Sequence, residues 1–242
     1  MTTTEVSTDR GVRRALGYEW AAFRTLRSNW VLMGSALVVQ LLLTFVAHDS
    51  RDHGDITFAK VLSVGWLFVA LVAALGVNAF GTEYRYRTIT TTVLTARLRG
   101  RVLLAKAIVA TAAAVVTEVV VLSASWLLLA VLGAAPTVST SLLSGTGVLV
   151  YAALMTLIGL ALAVLLHGSV LPIAVLVVWP EIEMFLINRL DLPEWLHAVL
   201  QPCYSARRLI SESPEWPGAL PMLGLAAVLL GAAGIVLNRR DV

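Results

Sequence analysis

Long apolar runs alternate with short polar segments along the whole chain. None of these runs shows the strict alternation of apolar and polar residues that is typical of strands. Each is long enough to cross about 30 Å of hydrocarbon as a helix that rises about 1.5 Å per residue. The pattern therefore predicts an all-α integral membrane protein with six transmembrane helices. The predicted spans are residues 30–47, 61–80, 107–132, 142–166, 169–187 and 218–237.

Residues 10–29, just before the first apolar run, have a different helical pattern. Apolar residues recur there at three- and four-residue steps, while basic residues lie mostly off that stripe. This predicts an N-terminal amphipathic helix that lies along the inner membrane surface, with its basic side toward lipid headgroups. The stripe includes Trp20 and Phe23, and the basic residues include Arg13, Arg24 and Arg27.

The composition agrees with a membrane protein. Of the 242 residues, 58% are hydrophobic and 14% are charged, against about 25% charged residues in ordinary soluble domains. The N-terminal residues lack the apolar core and cleavage site of a signal peptide, which predicts that they are retained. No repeat or linker divides the chain, so we expect residues 1–242 to form one transmembrane domain. A net charge of +3 gives little support to nucleic-acid binding.

The charges are unevenly distributed between alternate polar segments. If the N-terminus is cytoplasmic, the inner segments contain 13 Lys and Arg residues and the outer segments contain 5. Because an excess of Lys and Arg marks the cytoplasmic side of a membrane protein, we expect both termini in the cytoplasm. Prolines divide the outer residues 181–217 into short pieces, which predicts short helices that cap the outer face between the fifth and sixth spans.

The densest basic segment, residues 81–108, lies between the second and third spans. Glu83 and Thr88 precede a threonine-rich piece, and Arg99 falls seven residues before Lys106. This order resembles the permeases of ABC-2 type transporters, in which Glu-x-x-x-Gly-Thr precedes an apolar helical piece, then Pro-x-Ser-Arg, then Lys. The layout is similar too, with a basic surface helix, six spans, both ends inside and a long outer segment before the last span.

Three positions depart from that family pattern, since Arg87 replaces glycine and Ala96 and Leu98 replace proline and serine. The resemblance implies a cytoplasmic coupling helix here, which docks in a cleft of a separate ABC ATPase subunit and transmits its closure. Glu83 could pair with Arg87, four residues on in a helix. If no docking occurs, the arginines would only fix the topology. The implied coupling residues are Glu83, Arg87, Thr88, Arg99 and Lys106.

The resemblance also implies the rest of a transport machinery. The chain contains no phosphate-loop motif, so ATP and Mg would bind to the partner ATPase, and this chain would be a non-enzymatic transport subunit without a cofactor. Six spans form half of a usual pathway, so a second copy or a homologous permease would complete a dimer. The family implies a multi-pass protein of the bacterial inner membrane that exports an amphipathic drug, peptide or lipid-like molecule.

Isolated polar residues suggest chemistry within the spans or at their edges. Glu118 lies midway along the third span, where a carboxylate costs about 2.5–3.5 kcal/mol, so it should face a partner helix, a cavity or a pathway. Substrate or proton handling would explain it, and so would a structural hydrogen bond or a neutral, protonated carboxyl at a helix interface. Glu181 and Glu183 are expected at a solvated outer edge, and Cys203 is expected to be an incidental thiol. The four histidines and single cysteine show no metal-ligand spacing, so we expect no metal site.

Other classes of membrane protein are alternatives. A secondary transporter usually has interrupted helices with coupling-ion groups, and only Glu118 and the prolines Pro172 and Pro180 point that way. A membrane enzyme would need a catalytic constellation within the spans, and the sequence shows no such motif. An immunity protein without an ATPase partner is a further alternative.

Overall fold

A computed structural model describes residues 15–49, 58–63, 66–85, 99–134, 137–187, 189, 201–211 and 214–239. These residues are overwhelmingly helical, and no strand occurs among them. The predicted all-α class is therefore confirmed for this part of the chain.

The helices follow the apolar runs of the sequence. Pro202 and Pro217 stand in the first turns of their helices, where a missing N–H group is harmless. A single 3₁₀ turn, Trp216–Gly218, precedes the last helix. The α-helices are α1 (residues 15–25), α2 (Arg27–Asp49), α3 (Phe58–Ser63), α4 (Trp66–Arg85), α5 (Arg99–Val131), α6 (Val138–Leu165), α7 (Val170–Ile187), α8 (Pro202–Arg207) and α9 (Ala219–Arg239).

Four helical stretches are long and apolar enough to cross a membrane. They are Arg27–Asp49, Val102–Val131, Ser141–Leu165 and Trp216–Arg239. The fifth predicted span coincides with a shorter helix, and the second overlaps another that begins five residues later than predicted, at Trp66. Of these, α4 has 20 residues and α7 has 18 residues with Pro180 inside. The length and composition of the helices thus support membrane crossing for four of the six predicted spans.

The centre of the bundle is the pair α4 and α6, which have the most extensive contact of any two helices described. Small residues allow their backbones to approach closely. A Cβ atom added at Gly76 would lie 2.1 Å from the carbonyl oxygen of Thr156, and one at Gly159 would lie 2.9 Å from that of Ala73. Around this pair, α5 and α9 pack on α6, while α2 packs on α4 and α5.

The helices run between two ends of the bundle. We call the end where α4 finishes and α5 begins the Lys106 end, and the end where α6 begins the Cys203 end. At the Cys203 end, the Ser144 hydroxyl donates to the carbonyl oxygen of Ser211 at 3.0 Å. A Cβ atom at Gly147 would lie 2.0 Å from the carbonyl oxygen of Leu209. Residues 201–211 therefore lie directly against α6, with α8 as a short helix at this end.

The sides of the bundle expose large apolar side chains. Leu42 of α2 is 60% exposed, Leu127 of α5 is 60% exposed and Val228 of α9 is 70% exposed. Soluble monomers rarely leave extensive contiguous apolar surface in water. The sides of these helices therefore suit contact with lipid.

The N-terminal helix, predicted over residues 10–29, ends earlier than predicted. Within the described residues, α1 covers 15–25, Leu26 interrupts the helix, and α2 begins at Arg27. The first long apolar helix thus starts three residues before the predicted span.

Two side chains of α2 explain where α1 ends. The Asn29 amide donates to the carbonyl oxygen of Phe23 at 3.1 Å, and the Trp30 indole donates to that of Arg24 at 3.0 Å. The last carbonyl groups of a helix have no partner within it, so side chains that reach back to them stabilise the end. These bonds also fix α1 to the start of α2.

The predicted coupling helix falls within residues 86–98, which lie outside the described residues. This range includes Arg87 and Thr88. Its two flanking helices are described. The second span extends as α4 to Arg85, and α5 begins at Arg99, eight residues before the predicted third span.

Candidate functional site

Lys106 is buried inside the bundle and binds two carboxylates. Its Nζ atom lies 2.8 Å from Oε2 of Glu19 and 2.7 Å from Oε1 of Glu83. Only 4% of the Lys106 side chain is exposed, against 8% for Glu19 and 15% for Glu83. The ammonium group also lies 5.1 Å from the centre of the Phe80 ring. We call Glu19, Glu83 and Lys106 the ion triad.

Three separate helices supply the ion triad. Glu19 comes from α1, Glu83 from the last turn of α4 and Lys106 from the third turn of α5. A lysine suits this position because its apolar stem can pack against hydrophobic residues while the ammonium group reaches its partners. The ion triad therefore joins α1 to the two helices on either side of residues 86–98.

Burial shapes the electrostatics of the ion triad. Desolvation raises the pKa of Glu19, while the positive charge of Lys106 and its hydrogen bond lower it and the Glu83 carboxylate adds a smaller increase. Burying an ion pair costs solvation free energy, so the intact pair adds little net stability. Loss of one partner is strongly destabilising, because it leaves the other charge buried and unpaired.

Uncharged side chains near the ion triad form hydrogen bonds between α2 and α4. The Asn78 amide donates to Oδ1 of Asn29 at 3.1 Å and to Oγ of Ser28 at 3.3 Å. Thr82 donates to the carbonyl oxygen of Asn78 at 2.9 Å. A cavity of about 50 Å³, lined by Asn29 and all three residues of the ion triad, leaves room for ordered water.

The fold brings together two of the coupling residues that the resemblance implies, Glu83 and Lys106. Arg99 is the first residue of α5, about two turns before Lys106. Arg87 and Thr88 lie outside the described residues, so the pairing of Glu83 with Arg87 stays a prediction.

The predicted interfacial residues differ in their exposure, and Arg27 belongs to α2 rather than α1. Phe23 is buried in a small apolar cluster, whereas Trp20, Arg24 and Arg27 are exposed. The Trp20 ring stacks on the Phe23 ring with 6.0 Å between centroids. Arg13 lies outside the described residues.

Glu19 is the member of the ion triad that the sequence pattern does not single out. A signal was present, because Glu19 follows Leu16 by three residues and precedes Phe23 by four, on the apolar side of a basic helix. A carboxylate on a buried helix side needs a partner. That partner, Lys106, is 87 residues away in the sequence, and only the fold shows the pairing.

Glu118 is separate from the ion triad. It lies twelve residues after Lys106 on α5, which places it about 18 Å farther along the helix at about 1.5 Å per residue. The Glu118 side chain is fully buried.

At the Cys203 end, the buried carboxylate of Glu183 holds residues 201–211. Glu183 is 0% exposed and accepts hydrogen bonds from the Trp179 indole and from the backbone N–H of Tyr204, the latter at 2.8 Å. The Cys203 thiol also donates a hydrogen bond to the Glu183 carboxylate, and burial raises the pKa of that thiol. The expected solvated edge is therefore wrong for Glu183, and Cys203 is a packed core residue. Residues 201–211 fold back over the end of α7, which local sequence does not reveal.

Cys203 is the only cysteine of the chain, so its alkylation reports on this cluster. We expect slow labelling of the folded protein, because the thiol is 3% exposed and burial disfavours the reactive thiolate. Glu183→Ala should accelerate labelling at least about tenfold, since hydrogen bonds to a charged acceptor contribute about 1.5–3 kcal/mol each. Mass spectrometry of the alkylated protein over time measures the rate.

Glu181→Ala is the matched control for this prediction. Its carboxylate pairs with Arg207 at 3.2 Å and is 44% exposed. An exposed pair contributes at most about 1 kcal/mol, so labelling should rise by no more than about fivefold. Equal acceleration by the two substitutions would contradict a specific role for Glu183.

An apolar groove opens between α5 and α6 in the half of the bundle near the Cys203 end. Its volume is about 390 Å³, and its wall includes Phe58 and Trp126. The hydroxyls of Ser123, Ser141 and Thr146 also line it. Each of them donates to a carbonyl oxygen three or four residues earlier in the chain. The groove thus offers mainly apolar surface, in the range of about 300–1,000 Å³ that is typical of ligand pockets.

These features define an all-helical protein with the character of a membrane protein. It has the buried ion triad at one end and, at the other, the buried Glu183 carboxylate with its hydrogen-bond donors. No known family model matches the chain, and no curated protein matches it in sequence. Within the described ranges, no three His, Cys, Asp or Glu residues are grouped so that they could hold a metal ion.

Proposed function

We propose that the chain is the membrane-spanning subunit of an ABC-2 type exporter. In this proposal a separate ABC ATPase binds and hydrolyses ATP with Mg, and the chain itself is not an enzyme. The ion triad is the observation that supports the proposal most, since it connects α1, α4 and α5 around the segment that would dock on the ATPase.

The ion pair of Glu83 and Lys106 links the two helices that flank residues 86–98. Residues 86–98 connect α4 to α5, and the 2.7 Å contact joins the two helices just inside the ends of the connection. A force on residues 86–98 would therefore reach both helices together. Packed helices and ion pairs of this kind are a physical means of carrying coupling between distant sites.

Glu19 brings the surface helix into the same unit. Its 2.8 Å contact with Lys106 holds α1 on α5, and Asn29 holds α1 on α2 through the carbonyl oxygen of Phe23. When ATP closes the partner ATPase, the docking segment would move, and α4, α5, α1 and α2 would move with it. The first three predicted spans would thus reorient together.

The proposal extends to the layout and the cargo. The two shorter helices α4 and α7 would complete six spans, with both termini and the Lys106 end in the cytoplasm of a bacterial cell, as the excess of positive charge favours. A second copy or a homologous permease would complete the pathway. The apolar groove of about 390 Å³ supports an amphipathic cargo with a substantial apolar part.

The first experiment tests for the partner. A tagged chain is purified from its own cell membranes in mild detergent, and bound proteins are identified by mass spectrometry. We expect an ATPase with a phosphate loop in near-stoichiometric amount, and Mg-dependent ATP hydrolysis by the complex. If folded chain is recovered without any ATPase, the proposal fails, and a secondary transporter or another partner-free membrane protein is favoured.

A further inference from the structure

A second polar feature lies inside the bundle, away from the ion triad. Gln40 of α2 and Glu118 of α5 are both 0% exposed. Among the described residues, neither carboxylate oxygen of Glu118 has a hydrogen-bond partner, and the same holds for both polar atoms of the Gln40 amide. Unpaired polar groups in a packed interior are costly, so a site with four such atoms needs an explanation.

Helix register places Gln40 and Glu118 at the same level. Both α2 and α5 begin at the Lys106 end, and Ala36 of α2 and Ala114 of α5 belong to one buried apolar cluster. Gln40 and Glu118 each lie four residues farther on, about 6 Å along their helices. Since α2 and α5 pack against each other, the two buried side chains lie at a similar level on neighbouring helices.

The helices around this pair carry few charges. From Val69 to Val77, α4 presents only apolar side chains, and α6 contains no charged residue. Apart from Glu118 and Lys106, the acidic and basic residues of α2, α4 and α5 lie in the first or last turns of those helices. In the proposed topology Glu118 lies about 18 Å above Lys106, near the middle of a hydrocarbon layer about 30 Å thick. An ionised carboxylate is strongly disfavoured there, and the neutral acid is the stable form.

The helix geometry limits what the pair can bind. Coupling sites for metal cations in transporters use interrupted helices, whose free carbonyl groups coordinate the ion. Here α2 (Arg27–Asp49) and α5 (Arg99–Val131) are continuous through the site, so their carbonyl groups remain committed to the helices. The helices α2, α4 and α5 also pack against one another, so Gln40 and Glu118 lie inside the bundle. Neither residue lines the apolar groove. A proton is the cation that needs neither free carbonyls nor space.

We propose that Glu118 and Gln40 form a proton-binding site between the first and third spanning helices. The Glu118 carboxyl binds one proton, and the Gln40 amide oxygen accepts a hydrogen bond from it after side-chain rotation or through one water molecule. When α2 moves relative to α5 and water enters, Glu118 releases the proton to that water and becomes a carboxylate. The coupling of this movement to ATP rests on the proposed function, whereas the proton site does not.

Infrared spectroscopy of the full chain in lipid nanodiscs tests the site without any ATPase partner. At neutral pH we expect a carboxylic-acid C=O band that Glu118→Gln removes. Gln40→Leu should shift this band to higher frequency, because the O–H group of the Glu118 carboxyl loses its hydrogen-bond acceptor. In D₂O the band should shift as the bound proton exchanges. A band that does not exchange, or no difference between wild type and Glu118→Gln, would overturn the proposal.

An exchange of the two side chains guards against a variant that fails to fold. Gln40→Glu combined with Glu118→Gln keeps one carboxyl and one amide at the same level and moves the carboxyl to α2. We expect this double variant to fold and to regain an exchangeable carboxylic-acid band. A folded double variant without the band would contradict a paired site. Because none of these measurements involves ATP, the proton site and the exporter function can fail independently.

Discussion

Lys106→Met should lower the free energy of unfolding by about 3–5 kcal/mol, the cost of removing one partner from a buried ion pair. Methionine fills a similar space, so the loss comes from the charges rather than from a cavity. Glu19 and Glu83 would remain buried beside each other without a cation. Loss of the Lys106 charge would raise the pKa of Glu19 further, since that charge lowers it in the native protein. Thermal unfolding of the purified protein should show a midpoint at least about 6 °C lower.

Two variants separate the charge effect from general damage. Arg24→Met removes an exposed cation from α1 and should change stability by less than about 0.5 kcal/mol. The combination of Lys106→Met with Glu19→Gln and Glu83→Gln removes all three charges and should regain most of the lost stability. If the triple variant is as unstable as Lys106→Met alone, unpaired charge is not the cause.

Gly76→Ala is the second substitution for which we expect a large effect. The added Cβ would lie 2.1 Å from the Thr156 carbonyl oxygen, which is backbone and cannot move aside as a side chain can. The α4–α6 pair would have to separate, and overpacking of this kind costs about 1–3 kcal/mol or more. The midpoint of thermal unfolding and the yield of monodisperse protein after gel filtration measure the effect.

Gly34→Ala is the control for helix propensity. Gly34 lies on α2 with no atom within 4 Å of an added Cβ, so alanine should be neutral or should stabilise by up to about 1 kcal/mol. Equal tolerance of Gly76→Ala and Gly34→Ala would contradict the close backbone contact between α4 and α6.

The sequence predicted the helical class because each apolar run is longer than a strand and lacks alternation. It predicted the ends of the helices less well. The α5 helix begins at Arg99, inside the segment of dense positive charge, because Lys106 is neutralised by two carboxylates and can be buried. Hydropathy treats every lysine as solvated, so it placed the start of this span after Lys106.

The candidate site could be predicted only in part. The spacing of Glu83 and Lys106 drew attention to both residues, but their direct contact required the fold to bring the ends of α4 and α5 together. The buried contacts of Glu19 and Glu183 could not be predicted for the same reason, since their partners lie in other helices or in a segment that folds back. Burial of a single carboxylate is a tertiary property, and a local pattern reports only the side of the helix on which it lies.

The charge-neutral triple variant provides the most direct test of the account. Its coupling ratio, molecules of cargo moved per ATP hydrolysed, is measured after reconstitution of the chain in lipid vesicles with the ATPase that we propose as its partner. We expect this variant to fold, to bind the ATPase and to hydrolyse ATP, while the coupling ratio falls at least about tenfold because no ion pair joins α1, α4 and α5. A folded triple variant with the coupling ratio of the wild type would contradict a role for the ion triad in transmitting ATP-driven movement.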